Sequence, residues 1–193
     1  MINAIPEGTE ALIFDMDGTL VDSTPVHFAA WSQALADIGI DLDQETFQKL
    51  YGKTNDTILS EMVERDGREV DREAVSRKKD EYFVRNVTMV MPNQRVVEVA
   101  ERYVGTKPLA VATNERMGIA NMVLRVTGLQ PHFDLLVCAD EVDNPKPAPD
   151  LFLECGRRLG VAPEKCHVFE DTDFGLQAAR AAGMSVTDVR PYL

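Results

Sequence analysis

Ala11-Leu12-Ile13-Phe14-Asp15-Met16-Asp17-Gly18-Thr19 is the stretch that decides the fold. Four apolar residues stop abruptly at two acidic ones and a glycine turn. A short apolar run that ends in polar turn residues is the pattern of a strand buried on both faces of a parallel sheet. Four more runs of this kind come much later, over residues 108–113, 133–138, 166–169 and 185–189. Helical patterns lie between them. Residues 94–104 place Val97, Ala100 and Val104 on one face, and residues 118–126 do the same with Ile119, Met122, Val123 and Val126. Asp150 is placed to cap a helix over residues 151–159 that Gly160 would end, and residues 174–182 end likewise at Gly183. Strands alternating with helices predict a doubly wound, Rossmann-like α/β core with a parallel sheet.

The chain from about residue 24 to 91 differs in kind. It has no strand pattern and reads as four amphipathic helices. The first, over residues 25–38, has Pro25 near its start and Gly39 just past its end, and a later one over residues 71–87 is long and heavily charged. The expected division is a core of residues 1–22 and 92–193 with an all-α cap, residues 23–91, inserted after the first strand.

Bulk properties narrow the function. The 193 residues carry a net charge of −12, which repels nucleic acid and anionic membrane and reads against both as partners. The same field would repel a phosphorylated substrate, so a phosphate site in this chain needs a bound cation or a placed lysine. No apolar run reaches the about 18 residues that span a bilayer. The first ten residues lack a basic segment of the secretory kind, and Cys138, Cys155 and Cys166 show no metal-ligand spacing. These features predict a cytoplasmic protein with reduced thiols, expected as a monomer.

In open α/β sheets, ligands bind beyond the carboxyl ends of the strands. Those ends carry Asp15 and Asp17 after the first strand, Thr113 and Asn114 after the second, Lys146 past the third, and Glu170 and Asp171 after the fourth. Four carboxylates gathered at one sheet edge would raise one another's pKa unless a cation sat among them, and all-oxygen ligation suits Mg²⁺. Each piece alone has an ordinary structural reading. Asp-x-Asp-Gly makes turns, Thr113 could end a strand, Lys146 could be a solvated loop charge, and Glu170-Asp171 could cap the next helix. What favours chemistry is their coincidence at successive strand ends, which suits a phosphoryl-transfer centre.

The run from Phe14 through Ser23 resembles the first motif of the haloacid dehalogenase superfamily of phosphohydrolases. The resemblance covers the whole chain. Thr113 matches the second motif, Lys146 in Lys-Pro-x-Pro-Asp the third, and Glu170-Asp171 in Val-Phe-Glu-Asp the fourth. The helical insert is similar to the cap of the subgroup that holds β-phosphoglucomutase and sugar phosphatases. The run from Val168 through Met184 is similar to bacterial fructose-1-phosphate and 6-phosphogluconate phosphatases.

The resemblance implies hydrolysis of a small sugar phosphate or phosphorylated sugar acid. Asp15 would be the nucleophile that forms an aspartyl phosphate, and Asp17 the acid and base. Thr113 and Lys146 would hold phosphoryl oxygens. Asp15, Asp17 through its carbonyl, Glu170 and Asp171 would serve Mg²⁺. It also implies substrate-binding roles for Asn114, Arg116, His27, Gly52 and Lys53. The packing alternative for His27 is a place one turn above Trp31 on a buried helix, and that for Arg116 is a solvated first-turn arginine.

β-Phosphoglucomutase activity is the alternative, since that enzyme shares all four motifs. It grips a distal phosphate with a cap arginine three residues after the cap glycine, where this chain has Asn55. A phosphoacceptor receiver domain also collects acidic residues, a hydroxyl and a lysine at strand ends. Its acceptor aspartate lies on the third strand and it lacks a helical insert, so the order here is inverted.

Overall fold

The computed structural model of the chain describes every residue except 1, 3, 4 and 68. Its strands are β1 (Ala11–Phe14), β2 (Val21–Asp22), β3 (Met91–Pro92), β4 (Leu109–Thr113), β5 (Leu135–Cys138), β6 (Cys166–Glu170) and β7 (Ser185–Asp188). The α-helices are α1 (Thr24–Ala36), α2 (Gln44–Leu50), α3 (Asn55–Asp66), α4 (Arg72–Asn86), α5 (Gln94–Tyr103), α6 (Met117–Val126), α7 (Asp150–Leu159) and α8 (Asp173–Ala181). Five strands form a parallel sheet in the order β5-β4-β1-β6-β7. β1 lies at its centre, and the chain order reverses beside it, which opens a crevice at the carboxyl end of β1.

Alternation along β1 explains the two layers of helices. Leu12 and Phe14 join one buried cluster with Val96, Val111, Ala120 and Phe169, while Ala11 and Ile13 join another with Phe152, Cys155, Val168 and Ala178. The cap has its own core around Trp31, Leu35, Phe47, Leu59 and Met62. It is also seated on the sheet domain, because Val26 and Ala30 of α1 and Phe83 of α4 belong to the same cluster as Phe14 and Leu20. The fold class read from the sequence is the one observed, a parallel Rossmann-like sheet carrying an all-α cap.

The details differ in instructive ways. Residues 108 and 133–134 are not in strands: Asp134 Oδ2 accepts from the Leu109 amide at 2.9 Å, so that carboxylate fixes the strand start. α6 begins at Met117. Asp150 is the first residue of α7, not its cap. Its carboxylate instead accepts from the Asn144 backbone and side-chain amides at 3.2 and 3.1 Å, which ties down the loop that carries Lys146. Gly160 ends α7 with φ +70, a conformation that costs glycine nothing. The two-residue strands β2 and β3 pair antiparallel, Val21 with Pro92 and Asp22 with Met91, where the chain leaves the core and returns. The three cysteines are unbridged and buried. No helix among the described residues is long and apolar enough to cross a membrane.

Candidate active site

The loop after β1 is a tight, self-bonded turn. The Asp15 amide donates to the Phe169 carbonyl of β6 at 3.0 Å, which continues the sheet by one residue and plants Asp15 in the crevice. The Gly18 amide then donates to the Val21 carbonyl at 2.8 Å, and Leu20 and Val21 both donate back to the Met16 carbonyl. Gly18 has φ +88, and a Cβ there would overlap the Asp171 carboxylate and lie 2.9 Å from Tyr51 Oη. The Asn93 side chain donates to the Gly18 and Thr19 carbonyls at 3.0 and 2.9 Å, so residues beside β3 brace the turn.

Lys146 is the central cation. Its Nζ donates to Asp15 Oδ1 at 2.6 Å, Glu170 Oε2 at 2.8 Å and the Ala112 carbonyl at 2.9 Å, with the ammonium almost wholly buried. Burial alone would lower the Lys146 pKa, but the charges of Asp15 and Glu170 override it and the group is held protonated. Glu170 is equally fixed. Its Oε1 accepts from the Asp171 and Thr172 amides and from the Thr172 hydroxyl, and a Cβ at Gly175 would overlap its carboxylate. The helix cap of α8 is Thr172, whose hydroxyl accepts from the Gly175 amide. Thr19 Oγ1 donates to Asp171 Oδ1 at 2.7 Å.

One lysine does not balance this cluster. Burial, then the Glu170 charge, pushes the Asp15 carboxyl well up, and the same two causes push Asp171 up to about 7. Asp15, Glu170 and Asp171 each offer a carboxylate oxygen, and these oxygens lie within 4.8 Å of one another. Hard oxygen donors with an excess of negative charge fit Mg²⁺. The Asp17 carboxylate is not part of this group.

Asp17 faces the cap instead. Its Oδ1 accepts from the Ser23 hydroxyl at 2.5 Å and lies 3.2 Å from His27 Nε2, and its Oδ2 is 3.4 Å from Thr113 Oγ1. Burial works to raise this carboxyl, but the contacts with His27 and Ser23, aided by the Lys79 ammonium, bring it below the ordinary value. His27 also stacks on Phe83, centroids 4.3 Å apart, so its contact to Asp17 and its packing role coexist.

A cavity of about 50 Å³ lies between cap and core, lined among others by Asp15, Asp17, His27, Tyr51, Lys53, Thr113 and Lys146. The other expected substrate residues fall unevenly around it. Asn114 lines it, yet its side chain is spent on structure: Nδ2 donates to the Gly52 carbonyl at 2.8 Å and the Lys146 carbonyl at 3.0 Å, and Oδ1 accepts from the Lys146 amide. Gly52, φ +84, packs so closely on Thr172 that a Cβ would come within 2.8 Å of its methyl group. Lys53 borders the cavity but pairs with Glu61 at 2.5 Å. Arg116 lies outside it, 3.5 Å from Asp56.

Several contributors escaped the sequence reading. Ser23 sat in the quoted first motif without a role. Tyr51, whose hydroxyl is buried beside Asp171, belongs to none of the four motifs. Lys79 is fully buried in a helix segment that reads as a solvated charge run, and it bonds Glu115 at 3.1 Å. Its signal was the spacing of four residues that places it between Val75 and Phe83 on one face of α4.

Comparison with known proteins agrees with this geometry. The haloacid dehalogenase-like hydrolase family matches residues 12–189. The chain is 41% identical to the fructose-1-phosphate phosphatase YqaB of Escherichia coli over 179 residues, 93% of this chain and 95% of that protein. It is 35% identical to a phosphorylated carbohydrates phosphatase of Thermotoga maritima, covering 91% and 82% of the two chains. The crystal structure of β-phosphoglucomutase from Clostridium difficile superposes with a TM-score of 0.81 at 25% identity, over 93% of this chain and 84% of that one. A parallel sheet with acidic residues, Thr113 and Lys146 at successive strand ends under a helical cap, matched over nearly its whole length, places the chain in the haloacid dehalogenase-like hydrolase family.

Proposed function

We propose that the chain hydrolyses phosphate monoesters of small sugars, with Asp15 as nucleophile and Mg²⁺ as its metal. The observation that supports this most is the position of Asp15. It is a buried carboxylate with one oxygen on Lys146, at the floor of a cavity that also takes in Asp17 and Thr113. Relatives named for sugar-phosphate hydrolysis, at 41% and 35% identity, point to the same substrate class.

The residues divide the work. Lys146 orients Asp15 by binding Oδ1, which leaves Oδ2 to form the bond to phosphorus as the ester P–O bond breaks. Asp17, held below the ordinary value by His27 and Ser23, gives the departing alkoxide the proton it takes, in each preceding cycle, from the water that hydrolyses the aspartyl phosphate and releases inorganic phosphate. Thr113 donates to a phosphoryl oxygen, and Lys146, whose three N–H groups are already placed, offsets phosphoryl charge from beside Asp15. When bound, Mg²⁺ would be held by Asp15 and Asp171 with Glu170 beside them, and would offset charge on the phosphoryl group. His27 and Ser23 set the orientation of Asp17. The two-residue ribbon of β2 and β3 is the proposed hinge between a core of residues 1–22 and 92–193 and a cap of residues 23–91.

The test is phosphate release from a panel of phosphorylated metabolites. Hydrolysis of sugar monophosphates with Mg²⁺, lost in excess chelator, is the expected result. No release from any sugar phosphate with Mg²⁺ present overturns the proposal.

A further inference from the structure

The cations around the cavity are already committed to carboxylates. Lys146 faces Asp15 and Glu170, and Lys53 faces Glu61 at 2.5 Å. Lys79, with no exposed surface, lies 3.1 Å from Glu115 and 3.4 Å from Asp80, one ammonium between two carboxylates. Arg116, just outside, lies 3.5 Å from Asp56. A second anionic group on a substrate would therefore find no spare positive charge among them.

Glu115 adds a negative one. It lines the cavity, is 7% exposed, and follows β4 by two residues. Its amide donates to Thr113 Oγ1 at 3.0 Å, so it is anchored to the phosphoryl-binding residue itself. Its Oε1 accepts from the Arg116 amide at 2.9 Å and its Oε2 from Lys79. These bonds fix the carboxylate's place, and a carboxylate has further lone pairs with which to accept a hydroxyl proton in a charge-assisted bond.

We propose that Glu115 determines specificity, admitting a leaving group that is a neutral polyol and rejecting one that bears a carboxylate or a second phosphate. This rests on the phosphomonoesterase reading above and narrows it. The physical reason is direct. Two like charges a few ångströms apart in a partly desolvated cavity repel strongly, with an effect of about tenfold or more on affinity. A neutral hydroxyl in the same place gains a hydrogen bond.

Sorbitol 6-phosphate and 6-phosphogluconate make a matched pair for the test, since both are open-chain six-carbon esters that differ chiefly in a carboxylate at the far end. The expected kcat/KM of the wild type favours the neutral ester by about tenfold or more. Glu115→Gln removes the charge and keeps the shape, and it should shrink that ratio severalfold, mainly through a lower KM for the anionic ester. A residue of merely structural importance would depress both substrates alike and leave the ratio unchanged. Equal wild-type efficiency on the two esters, or an unmoved ratio in the variant, overturns the inference. The wild-type ratio can be read even if the variant folds poorly. Turnover of neither ester overturns the inference, and only release from no sugar phosphate at all sinks the hydrolase reading as well.

Discussion

At the residue scale, Asp15 and Lys146 show why one side chain cannot be judged alone. An aspartate in an apolar crevice is costly, and burial pushes this one well up. Lys146 works against that shift by donating to one oxygen, and a bound Mg²⁺ would offset the rest. Asp15→Asn preserves size and can still lie beside Lys146, but an amide oxygen cannot attack phosphorus to form an acyl phosphate. Turnover should fall by a factor on the order of 10³ or more. The circular dichroism spectrum and unfolding midpoint should stay close to wild type, since a buried carboxylate among like charges is being neutralised. Phosphate release above a few per cent of the wild-type rate in a freshly purified variant would remove Asp15 from the nucleophile's role.

At the scale of elements, the sheet was legible and its neighbours less so. β1, β4, β5 and β6 have both faces covered, so their apolar runs stood out. β2 and β3 did not, because a two-residue strand has no period to read. Of the site, the motif residues were legible because each ends a buried strand. Lys79 and Glu115 were not, because their partners lie 36 positions apart in sequence. His167 on β6 belongs to none of the four motifs. It bridges β6 and β7 through hydrogen bonds between its ring nitrogens and Ser185 Oγ at 2.7 Å and Thr187 Oγ1 at 2.8 Å, one nitrogen donating and the other accepting, and burial lowers its pKa from 6.5 to about 4. The unfolded chain therefore binds a proton between those two values that the folded chain does not. This contribution is fully present above pH 6.5, is lost as pH falls toward 4, and levels off below. The loss scales as about 1.4 kcal/mol per unit of depression. His167→Gln removes the titrating group, so its unfolding midpoint in urea should drop less than that of wild type between pH 7 and pH 5. Parallel drops in the two proteins would show that His167 does not titrate in this way.

At the scale of the whole molecule, the site lies between cap and core, so their relative position governs access to Asp15. The cavity over Asp15, about 50 Å³, is lined from both sides, by Phe47, Tyr51 and Ile58 of the cap and by Asp15, Thr113 and Lys146 of the core. The closure has identifiable parts: the Asn114 side chain bonds the Gly52 carbonyl at 2.8 Å, Gly52 packs on Thr172, and Phe83 of the cap is buried in the core cluster. Val26, Ala30 and Phe83 stay seated on the core cluster, so the motion expected is a tilt of the cap about that seat. A closed site has a use, since it keeps water away while the leaving group acquires its proton. The molecule is therefore expected to open in the absence of ligand and to close on a phosphoryl mimic. Trp31 gives a local reading of the same event, because it is 1% exposed, sits in the cap core and lines the cavity. With Mg²⁺ and vanadate added, the radius of gyration from solution scattering should decrease and the Trp31 emission should change at the same ligand concentration. Asn114→Ala deletes the side-chain bond between core and cap, so it should raise the vanadate concentration needed for both changes severalfold. A scattering curve and an emission spectrum that do not respond to saturating vanadate would mean that the cap does not move, and that substrate reaches Asp15 by another route.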